Sequence, residues 1–531
     1  MTLASFREAL SKRDALKAFI VILLVTILTR FPYFFRADID WDESTFFLLG
    51  QSVLDGNLPY TLWLDNKPPG LWYCFSLLII SGFQSLLGVR LIGSLWVAMT
   101  AFLNYLCVRK LAGHQTGLIT GLVLVLLINL NEKGQAVLSE QVALLPMAGS
   151  VAVLLLLSDR KVLSLFLAGF LMTTAVTIRL NLAYTLICLS GYIFITVFRQ
   201  TAIPLKAKIA QFSAFSLGSL CLIGGLIVPY LWTQNLVLLY RGMIQAALSF
   251  ANSQKAPLVV LDKQITFVIQ STLLGGVSMA LSLIILLTLY ALVMSGYRLI
   301  KHYKSLSNEY KNFYILALIY WLSIEISIIQ SGNFYGHYNI QLLLPVSLLI
   351  APQIQALLAY TSNAPKIAKR FRKLFYVGLA IVGSHIFLQY QLITTNYIYN
   401  GTPFYGISFE IADVIEQFNP TKAPVWIQTH HLAYWLTGAD PIIPSAVHPS
   451  SISKEFLLKA WYGNNASTLK ELQKILDAEP VLIIFDRERR DLLADYPAAQ
   501  ERLRNYIEEN YQLLEIDHPR LIVLQKSQLL S

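Results

Sequence analysis

The stretch KAFIVILLVTILTRFPYFF, residues 17–35, is apolar over most of its length. The hydrocarbon core of a bilayer is roughly 30 Å thick and takes about 20 helical residues to cross, so this stretch is long enough to span it. Comparable runs recur at 70–88, 90–108, 115–131, 136–157, 162–178, 181–198, 209–232, 264–294, 312–330, 338–360 and 374–393. Their repetition predicts a polytopic α-helical membrane protein with about 11–13 transmembrane helices.

Composition and charge agree with this prediction. Of the 531 residues, 55% are hydrophobic and 14% are charged, against about 25% charged in an average soluble domain. The net charge is +10, and basic residues precede the first and last spans: Arg7, Lys12, Arg13, Lys17, Lys366, Lys369, Arg370, Arg372 and Lys373. Because such clusters mark cytoplasmic flanks, the charge indicates orientation in a lipid bilayer rather than a nucleic-acid partner.

The basic clusters also predict topology. The cluster at 366–373 places everything after Ile393 on the outer side, and the loop after the first span falls on that side as well. We therefore expect a multi-pass protein of the cell (inner) membrane, with a cytoplasmic amino terminus. The three runs between 70 and 131 give the wrong parity if each crosses once, so one of them is expected to lie on the surface or to re-enter.

Beyond residue 397 the apolar continuity ends and mixed patterning begins. VWIQ, PVLIIFD and LIVLQ have the composition of short buried strands, while Ser467 to Ala478 and Ala498 to Gln512 have helical spacing, the first with Ser467 as a candidate N-cap. This pattern predicts an extracytoplasmic α/β domain at 397–531. It would follow a transmembrane domain at 1–396, whose first outer loop covers about 36–69.

That first loop gathers charged residues. DIDWDESTFF, residues 38–47, contains Asp40, Asp42 and Glu43, and LWLDNKPPGLWY carries Lys67 before two prolines that fix the backbone. A lysine held there can bind a phosphate as a compact charge. The alternatives are a solvated acidic loop and a lysine that snorkels to the interface.

The order of these features resembles the GT-C class of membrane glycosyltransferases, specifically the family 39 and family 83-like proteins. These include protein O-mannosyltransferases and the aminoarabinose transferase that acts on lipid A. The resemblance rests on the basic tail, one span, the Asp42-Glu43 pair, the G-x-x-P-Y turn and K-P-P before the next apolar run, and its architecture covers nearly the whole chain. It implies a polyprenyl-phosphate sugar donor and a catalytic aspartate, Asp42, with Glu43 beside it. Asp40 is the local rival.

The implied chemistry fits a carboxylate. A carboxylate within about 3 Å of an attacking hydroxyl can take its proton, and a single displacement inverts the anomeric carbon. The resemblance therefore implies an inverting, polyprenyl-phosphate-sugar-dependent hexosyl- or pentosyltransferase. Its acceptor would be a hydroxyl or amine of a glycan, a lipid or a protein.

Five residues are candidates for binding the substrate or its phosphate: Lys67, Arg179, Glu140, His337 and Tyr338. Arg179 is a lone cation between two apolar runs, where an interface anchor is the alternative. The resemblance implies a second acid near Glu140, which would otherwise be a cap. His337 and Tyr338 match an H-Y pair of the family, in a turn with Asn333, Tyr335 and Asn339, and the alternative there is an interfacial aromatic belt.

Two further expectations concern metals and transport. No tight metal-ligand spacing is present in the sequence, and lysine and arginine can neutralise a phosphate, so we expect no obligatory cofactor; a divalent cation between acids and His337 is the alternative. A transporter or flippase of lipid-linked saccharides also needs many spans. The acidic first loop and the terminal domain favour the enzyme over that alternative, and the sequence shows no internal repeat of the kind typical of transporters.

Overall fold

The computed structural model describes residues 3–252, 277–302, 304–331, 335–363, 365–489 and 491–527. The chain divides into two compact units. The first is drawn from Met1–Phe34, Leu86–Leu226 and Gln254–Leu392, and the second from Phe35–Ser85, Ile227–Ser253 and Ile393–Ser531.

The first unit is helical. Its α-helices are Leu3–Arg30, Leu86–Ala112, His114–Leu130, Ser139–Leu156, Lys161–Ile178, Ala183–Phe198, Val277–His302, Asn308–Gln330 and Leu343–Asn363, and the helices Leu205–Trp232 and Pro365–Asn400 begin in it and end in the second unit. Short 3₁₀ turns occur at Phe31–Phe35, Glu132–Gln135, Leu180–Leu182 and Gly336–Leu342. Buried arginines stabilise this unit: Arg30, 1% exposed, donates to Ser94, Asn129 and two backbone carbonyls.

Eight helices among the described residues are long and apolar enough to cross a membrane: Lys12–Phe35, Leu86–Ala112, Ser139–Leu156, Lys161–Ile178, Leu180–Phe198, Leu205–Trp232, Asn308–Gln330 and Gly336–Asn363. The prediction of a polytopic helical membrane protein is therefore confirmed. The predicted run 264–294 lies partly outside the described residues, and from Val277 it forms the helix Val277–His302.

Two predicted spans form shorter helices, Pro69–Ser81 and His114–Leu130. Pro69–Ser81 has 13 residues, a length of about 20 Å that falls short of the hydrocarbon core. The expectation that one of the three runs between 70 and 131 does not cross the membrane stays a prediction. The helix packs instead against Trp41–Leu54, where a Cβ on Gly50 would lie 2.7 Å from Cβ of Phe75.

The second unit combines helices with a small sheet. Its helices are Trp41–Leu54, Pro69–Ser81, Leu236–Leu239, Ala246–Asn252, Ile407–Phe418, Leu432–Thr437, Glu455–Tyr462, Thr468–Asp477 and Pro497–Asn510, with a π-helical turn at Tyr240–Gln245 and 3₁₀ turns at Pro444–Ala446 and Ser451–Ser453. The strands are β1 (Val425–Ile427), β2 (Leu482–Asp486), β3 (Tyr511–Leu514) and β4 (Leu521–Lys526). A small C-terminal α/β structure is thus present, as the sequence predicts.

The sheet has the strand order β1-β2-β4-β3. β1 and β2 are parallel, and the other two pairings are antiparallel. Between β1 and β2 the chain forms three helices, of which Thr468–Asp477 packs Leu472 and Ile475 into a core with Trp426 and Ile483. Parallel strands require such a crossover, which explains why a helix-rich segment separates these two short strands.

The predicted elements of this region are found at β1, β2 and β4, and Ser467 caps Thr468–Asp477 by accepting from the backbone N–H of Lys470. The helix predicted for 498–512 extends beyond the end of the observed helix. The helix ends at Asn510, and Tyr511–Leu514 forms β3 against β4. The pairing with β4 is a long-range contact that helical spacing does not report.

Candidate active site

Asp42 lies in the first turn of the helix Trp41–Leu54, in the second unit. Asp40 is the N-cap of this helix, and its Oδ1 accepts a hydrogen bond of 3.0 Å from the backbone N–H of Asp42. Aspartate is preferred there because its carboxylate satisfies a donor that the helix leaves without an intrahelical partner. The carboxylate of Asp40 is therefore engaged in capping the helix. Asp40 and Asp42, the two candidates for the base, differ in this respect.

Lys67 forms an ion pair with Asp42, with 2.9 Å between Nζ and Oδ2. The side chains of the pair are 18% and 15% exposed, so a substrate can reach them. Asp65 fixes the backbone of Lys67, because its Oδ1 accepts the Lys67 N–H at 2.8 Å. The helix Pro69–Ser81 begins two residues later with a proline at its first position, where proline is favoured.

The loop before Lys67 is held from several sides. The hydroxyl of Tyr60, a buried residue with φ of 70°, donates to the carbonyl of Lys67 at 2.6 Å. Gly242 lies against the ring of Tyr60, where a Cβ would be 2.5 Å from ring carbons. Tyr230 donates to the carbonyl of Pro59 at 3.1 Å. These contacts keep Lys67 in place without the flexibility expected of a surface loop.

His448 contacts the second oxygen of Asp42. Its Nε2 lies 3.2 Å from Oδ1, and its side chain is 12% exposed. The ring also meets Trp41 edge-on at 6.5 Å between centroids, and the guanidinium of Arg489 lies 5.7 Å from the centroid of Trp41. Both carboxylate oxygens of Asp42 therefore face nitrogen groups, one from the first loop and one from the C-terminal region.

Burial changes the acid–base behaviour of two neighbours. Burial raises the pKa of Asp65, although the charge of Lys67 opposes the change. Burial lowers the pKa of Lys454, with the charge of Asp42 opposing it, and Lys454 Nζ lies 5.7 Å from the centroid of the Phe250 ring. The site thus has two acids and at least two lysines in partial shelter from water, where charge interactions are stronger than in bulk solvent.

Glu43, the other predicted catalytic acid, is 2% exposed. It lies on the buried side of the helix Trp41–Leu54, together with Phe46 and Phe47. A buried acid is less accessible to a substrate than Asp42, so Asp42 is the better candidate for the base. The catalytic role of either acid stays a prediction.

A second polar network joins the residues around Asp38 to the sheet. His430 follows β1 with φ of 60°, and its Nδ1 and Nε2 each lie 2.9 Å from a carboxylate oxygen, of Asp38 and of Asp486 at the end of β2. Arg520 Nη2 donates to Asp486 at 2.6 Å. The ends of neighbouring parallel strands meet at one edge, which brings His430 and Asp486 together. Asp38 is thereby fixed two residues before the N-cap Asp40.

The first unit contains a separate cluster around Glu140 and Arg179. Glu140 lies in the first turn of Ser139–Leu156, and its side chain is 0% exposed. Arg179 follows the helix Lys161–Ile178, and its Nη1 lies 2.7 Å from Glu140 Oε1 and donates to Ser139 Oγ at 2.8 Å. Because a buried charge requires a partner, the ion pair offsets part of the cost of burying Glu140 and Arg179.

Aromatic residues complete this cluster. His337 and Tyr338 lie in the 3₁₀ turn Gly336–Leu342, with His337 Nε2 at 3.5 Å from Glu140 Oε1. The guanidinium carbon of Arg179 lies 4.7 Å from the centroid of Tyr338, a cation–π distance. His337 stacks on Tyr335 at 5.6 Å. Of the remaining residues of the predicted turn, Asn339 is buried and Asn333 lies outside the described residues.

Arg179 keeps one donor available. Its Nε is buried and has no hydrogen-bond partner among the residues that the structure describes. Nη1 is occupied by Glu140 and Ser139, so one edge of the guanidinium is held while Nε can still donate. Arginine binds phosphate oxygens through such donors. Because this N–H is buried, a role for it in binding a phosphate stays a prediction.

The structure therefore brings the predicted residues into two groups. Asp42 and Lys67 meet in the second unit, and Glu140, Arg179, His337 and Tyr338 meet in the first. Sequence reasoning missed three residues near Asp42, namely Asp65, His448 and Lys454. Asp65 carries a local signal, an Asx-type turn into K-P-P, whereas the segments around His448 and Lys454 carry none. His430 and His431, which follow β1, are each 2% exposed.

Within the described part of the chain, no group of three or more His, Cys, Asp or Glu side chains could hold a metal ion. The expectation that no metal is obligatory stays a prediction. No family model matches the sequence, and no curated protein sequence matches it.

Comparison with solved structures identifies the fold. ArnT from Cupriavidus metallidurans bound to undecaprenyl phosphate matches with a TM-score of 0.60 and 12% identity, over 95% of this chain and 97% of that chain. The chain therefore has the polytopic fold of the GT-C membrane glycosyltransferases, as its sequence resemblance implied.

Two other solved structures are similar to a lesser degree. The apo state of the same ArnT has a TM-score of 0.45 and 11% identity, over 97% of this chain and 98% of that chain. The Archaeoglobus fulgidus oligosaccharyltransferase in the apo form has a TM-score of 0.49 and 12% identity, over 89% of this chain and 70% of that chain.

Proposed function

We propose that this protein is a membrane glycosyltransferase that moves a sugar, a hexose or a pentose, from a polyprenyl-phosphate donor to a hydroxyl or amine of an acceptor. The observation that carries the proposal is the accessible ion pair of Asp42 and Lys67, 2.9 Å apart, in a chain with a GT-C fold. One solved relative of this fold holds undecaprenyl phosphate, which supports a lipid-linked donor.

In the proposed reaction Asp42 is the general base. It takes the proton of the acceptor group as that group attacks the anomeric carbon, and a positioned base typically accelerates such a step by about 10²- to 10⁴-fold. The bond from the anomeric carbon to the phosphate oxygen breaks, and its electron pair leaves with the polyprenyl phosphate. A single displacement of this kind inverts the anomeric configuration.

A fixed cation would stabilise the leaving phosphate, and each unit, taken by itself, offers one candidate. Lys67 is the candidate in the second unit, because its ammonium is partly exposed beside Asp42. Arg179 is the candidate in the first unit, because its Nε has no partner among the described residues. Fixed positive groups of this kind offset the charge that grows on the leaving group. Glu140 would hold Arg179 in position, with His337 and Tyr338 around it.

The positive-inside pattern supports an outer location for the reaction, with the amino terminus in the cytoplasm. The shape of the binding pockets would select the donor sugar, a hexose or a pentose, and the acceptor, a glycan, lipid or protein. The role of Asp42 as a base does not determine either choice.

The test is sugar transfer by the purified protein in lipid. A panel of polyprenyl-phosphate sugars with radiolabelled sugars would be supplied together with extracted cell-envelope acceptors. We expect label to pass from one donor to an acceptor, with stoichiometric release of polyprenyl phosphate. No transfer from any donor, combined with movement of labelled lipid across a sealed bilayer, would contradict the proposal and favour a flippase.

A further inference from the structure

His448 has two ring nitrogens with different partners. Nδ1 lies 3.2 Å from the backbone nitrogen of Ser450, and Nε2 lies 3.2 Å from Asp42 Oδ1. A backbone N–H can only donate, so Nδ1 must accept and carries no proton. The proton of the neutral imidazole is therefore on Nε2 and is donated to Asp42. The Oγ of Ser450, 3.1 Å from Nδ1, can donate to the same nitrogen.

The segment around His448 is held firmly. The backbone N–H of Ser451 donates to the carbonyl of His448 at 3.0 Å, and Nδ1 of His431 lies 2.9 Å from the carbonyl oxygen of Val447. The N–H of Leu64, three residues before Lys67, donates to the carbonyl of Pro444 at 3.0 Å. Both donors to Asp42 thus lie on segments that are bonded to each other.

We propose that His448 is a positioning residue for Asp42, an inference that rests on the proposed function. Lys67 holds Oδ2 of Asp42, and His448 holds Oδ1, so the plane of the carboxylate is fixed by two donors from opposite ends of the chain. A carboxylate oxygen has two lone pairs, so accepting one hydrogen bond does not by itself prevent its protonation.

His448 does not take part in the proton transfer itself. The proton of the acceptor passes to Asp42 while the new glycosidic bond forms and the bond to the phosphate breaks. His448 keeps its Nε2 proton throughout, because Nδ1 stays engaged with Ser450. Without His448 the carboxylate of Asp42 can rotate about its side-chain bonds and is less often oriented toward the acceptor group. Binding of the donor is unchanged, so the loss falls on kcat.

The experiment compares three variants of the full-length protein in lipid with the wild type, using the donor and acceptor that support transfer. His448→Ala removes the hydrogen bond to a charged group, and we expect kcat to fall about 10- to 100-fold, with the donor KM within about threefold of wild type. His448→Gln places an amide N–H near the position of Nε2, and we expect it to recover most of the lost activity.

His518 offers a matched control. Its Nδ1 also accepts backbone N–H groups, of Arg520 and Leu521, and its Nε2 lies 2.6 Å from a carboxylate oxygen, that of Glu410 rather than Asp42. We expect His518→Ala to leave kcat unchanged. Melting temperatures of all variants would be measured in parallel.

Wild-type kcat in His448→Ala would overturn the inference. So would equal loss in His448→Ala and His448→Gln together with lowered melting temperatures, because that pattern indicates a structural role. Absence of transfer by the wild type would overturn the proposed function, and this inference with it.

Discussion

Asp42 and Glu140 are both acids paired with a cation, but their surroundings differ. The side chains of Asp42 and Lys67 are 15% and 18% exposed, whereas those of Glu140 and Arg179 are 0% and 9% exposed. An acid that takes a proton from a substrate must be reachable, and a fully buried acid is better suited to hold its partner. The difference favours Asp42 over Glu140 as the proposed base, with Glu140 proposed to position Arg179.

The largest expected effect separates Asp42 from its neighbour Asp40. Asp42→Asn removes the proton acceptor at nearly constant volume, and we expect kcat to fall by about 10²-fold or more. Asp40→Asn keeps a good N-cap, so we expect near-normal kcat. Steady-state transfer rates of both variants measure the effect. Full activity in Asp42→Asn with an inactive Asp40→Asn would assign the base to Asp40.

The next effect concerns Arg179 and the donor. Loss of hydrogen bonds from a charged donor to a phosphate is expected to raise the donor KM about 10- to 100-fold. Removing Arg179 alone would break a buried ion pair, which costs about 3–5 kcal/mol of stability. We therefore use the double variant Glu140→Gln with Arg179→Gln, which removes both charges and keeps similar volumes.

Glu140→Gln alone is the comparison for this double variant. It keeps the guanidinium, so we expect a smaller rise in the donor KM, about threefold. An equal rise in both variants would show that removing Arg179 has no further effect on donor binding once Glu140 is neutral. An unchanged donor KM in the double variant would remove the cluster from the phosphate site.

A smaller effect on the donor KM is expected for Lys67, because its ammonium also pairs with Asp42 and is partly exposed to solvent. Lys67→Met keeps the length of the side chain, and we expect roughly a tenfold rise in the donor KM with a lower kcat. The acceptor KM should change little. Lys459→Met is a matched control, since Lys459 is 46% exposed and pairs with Glu455. Equal donor KM values in the two variants would contradict a phosphate role for Lys67.

The smallest expected effect is on the pH dependence of stability. Burial would raise the pKa of Asp486, but hydrogen bonds from Arg520 and His430 outweigh it and hold the pKa at about 2. Because this lies below the unfolded value of about 3.9, the ionised form stabilises the fold above that value, and the contribution is lost as pH falls through about 2. We expect the Tm to decline across this acid range.

The matched variants for this decline are Asp486→Asn and Glu488→Gln. Asp486→Asn should lower the Tm at neutral pH and flatten the decline in acid. Glu488, 63% exposed, also pairs with Arg520, so Glu488→Gln should leave the curve close to wild type. A wild-type acid decline in Asp486→Asn would show that other groups govern it.

Local signals predicted much of this molecule. Apolar runs predicted the long helices, and the strands β1, β2 and β4 followed from short apolar stretches. The edge strand β3 was missed because its pairing with β4, rather than its own composition, determines its conformation. Asp42 and Lys67 could be proposed because the residues around them form a motif.

His448 could not be predicted in this way. It lies in SAVHPSSIS, which has no motif, and its contact with Asp42 joins residues 406 positions apart. Likewise, the sequence showed Arg179 as a lone cation, and only the fold brings it to Glu140. Tertiary contacts of this kind depend on the packing of distant segments, which periodicity does not encode.

The most direct test of the central claim separates lipid binding from chemistry in one preparation of Asp42→Asn. Undecaprenyl phosphate would be titrated into the variant and the wild type in detergent, and sugar transfer would be assayed with the same samples. We predict dissociation constants within about threefold of each other, with transfer by Asp42→Asn slower than that by the wild type by about 10²-fold or more. Transfer by Asp42→Asn at the wild-type rate would contradict the account.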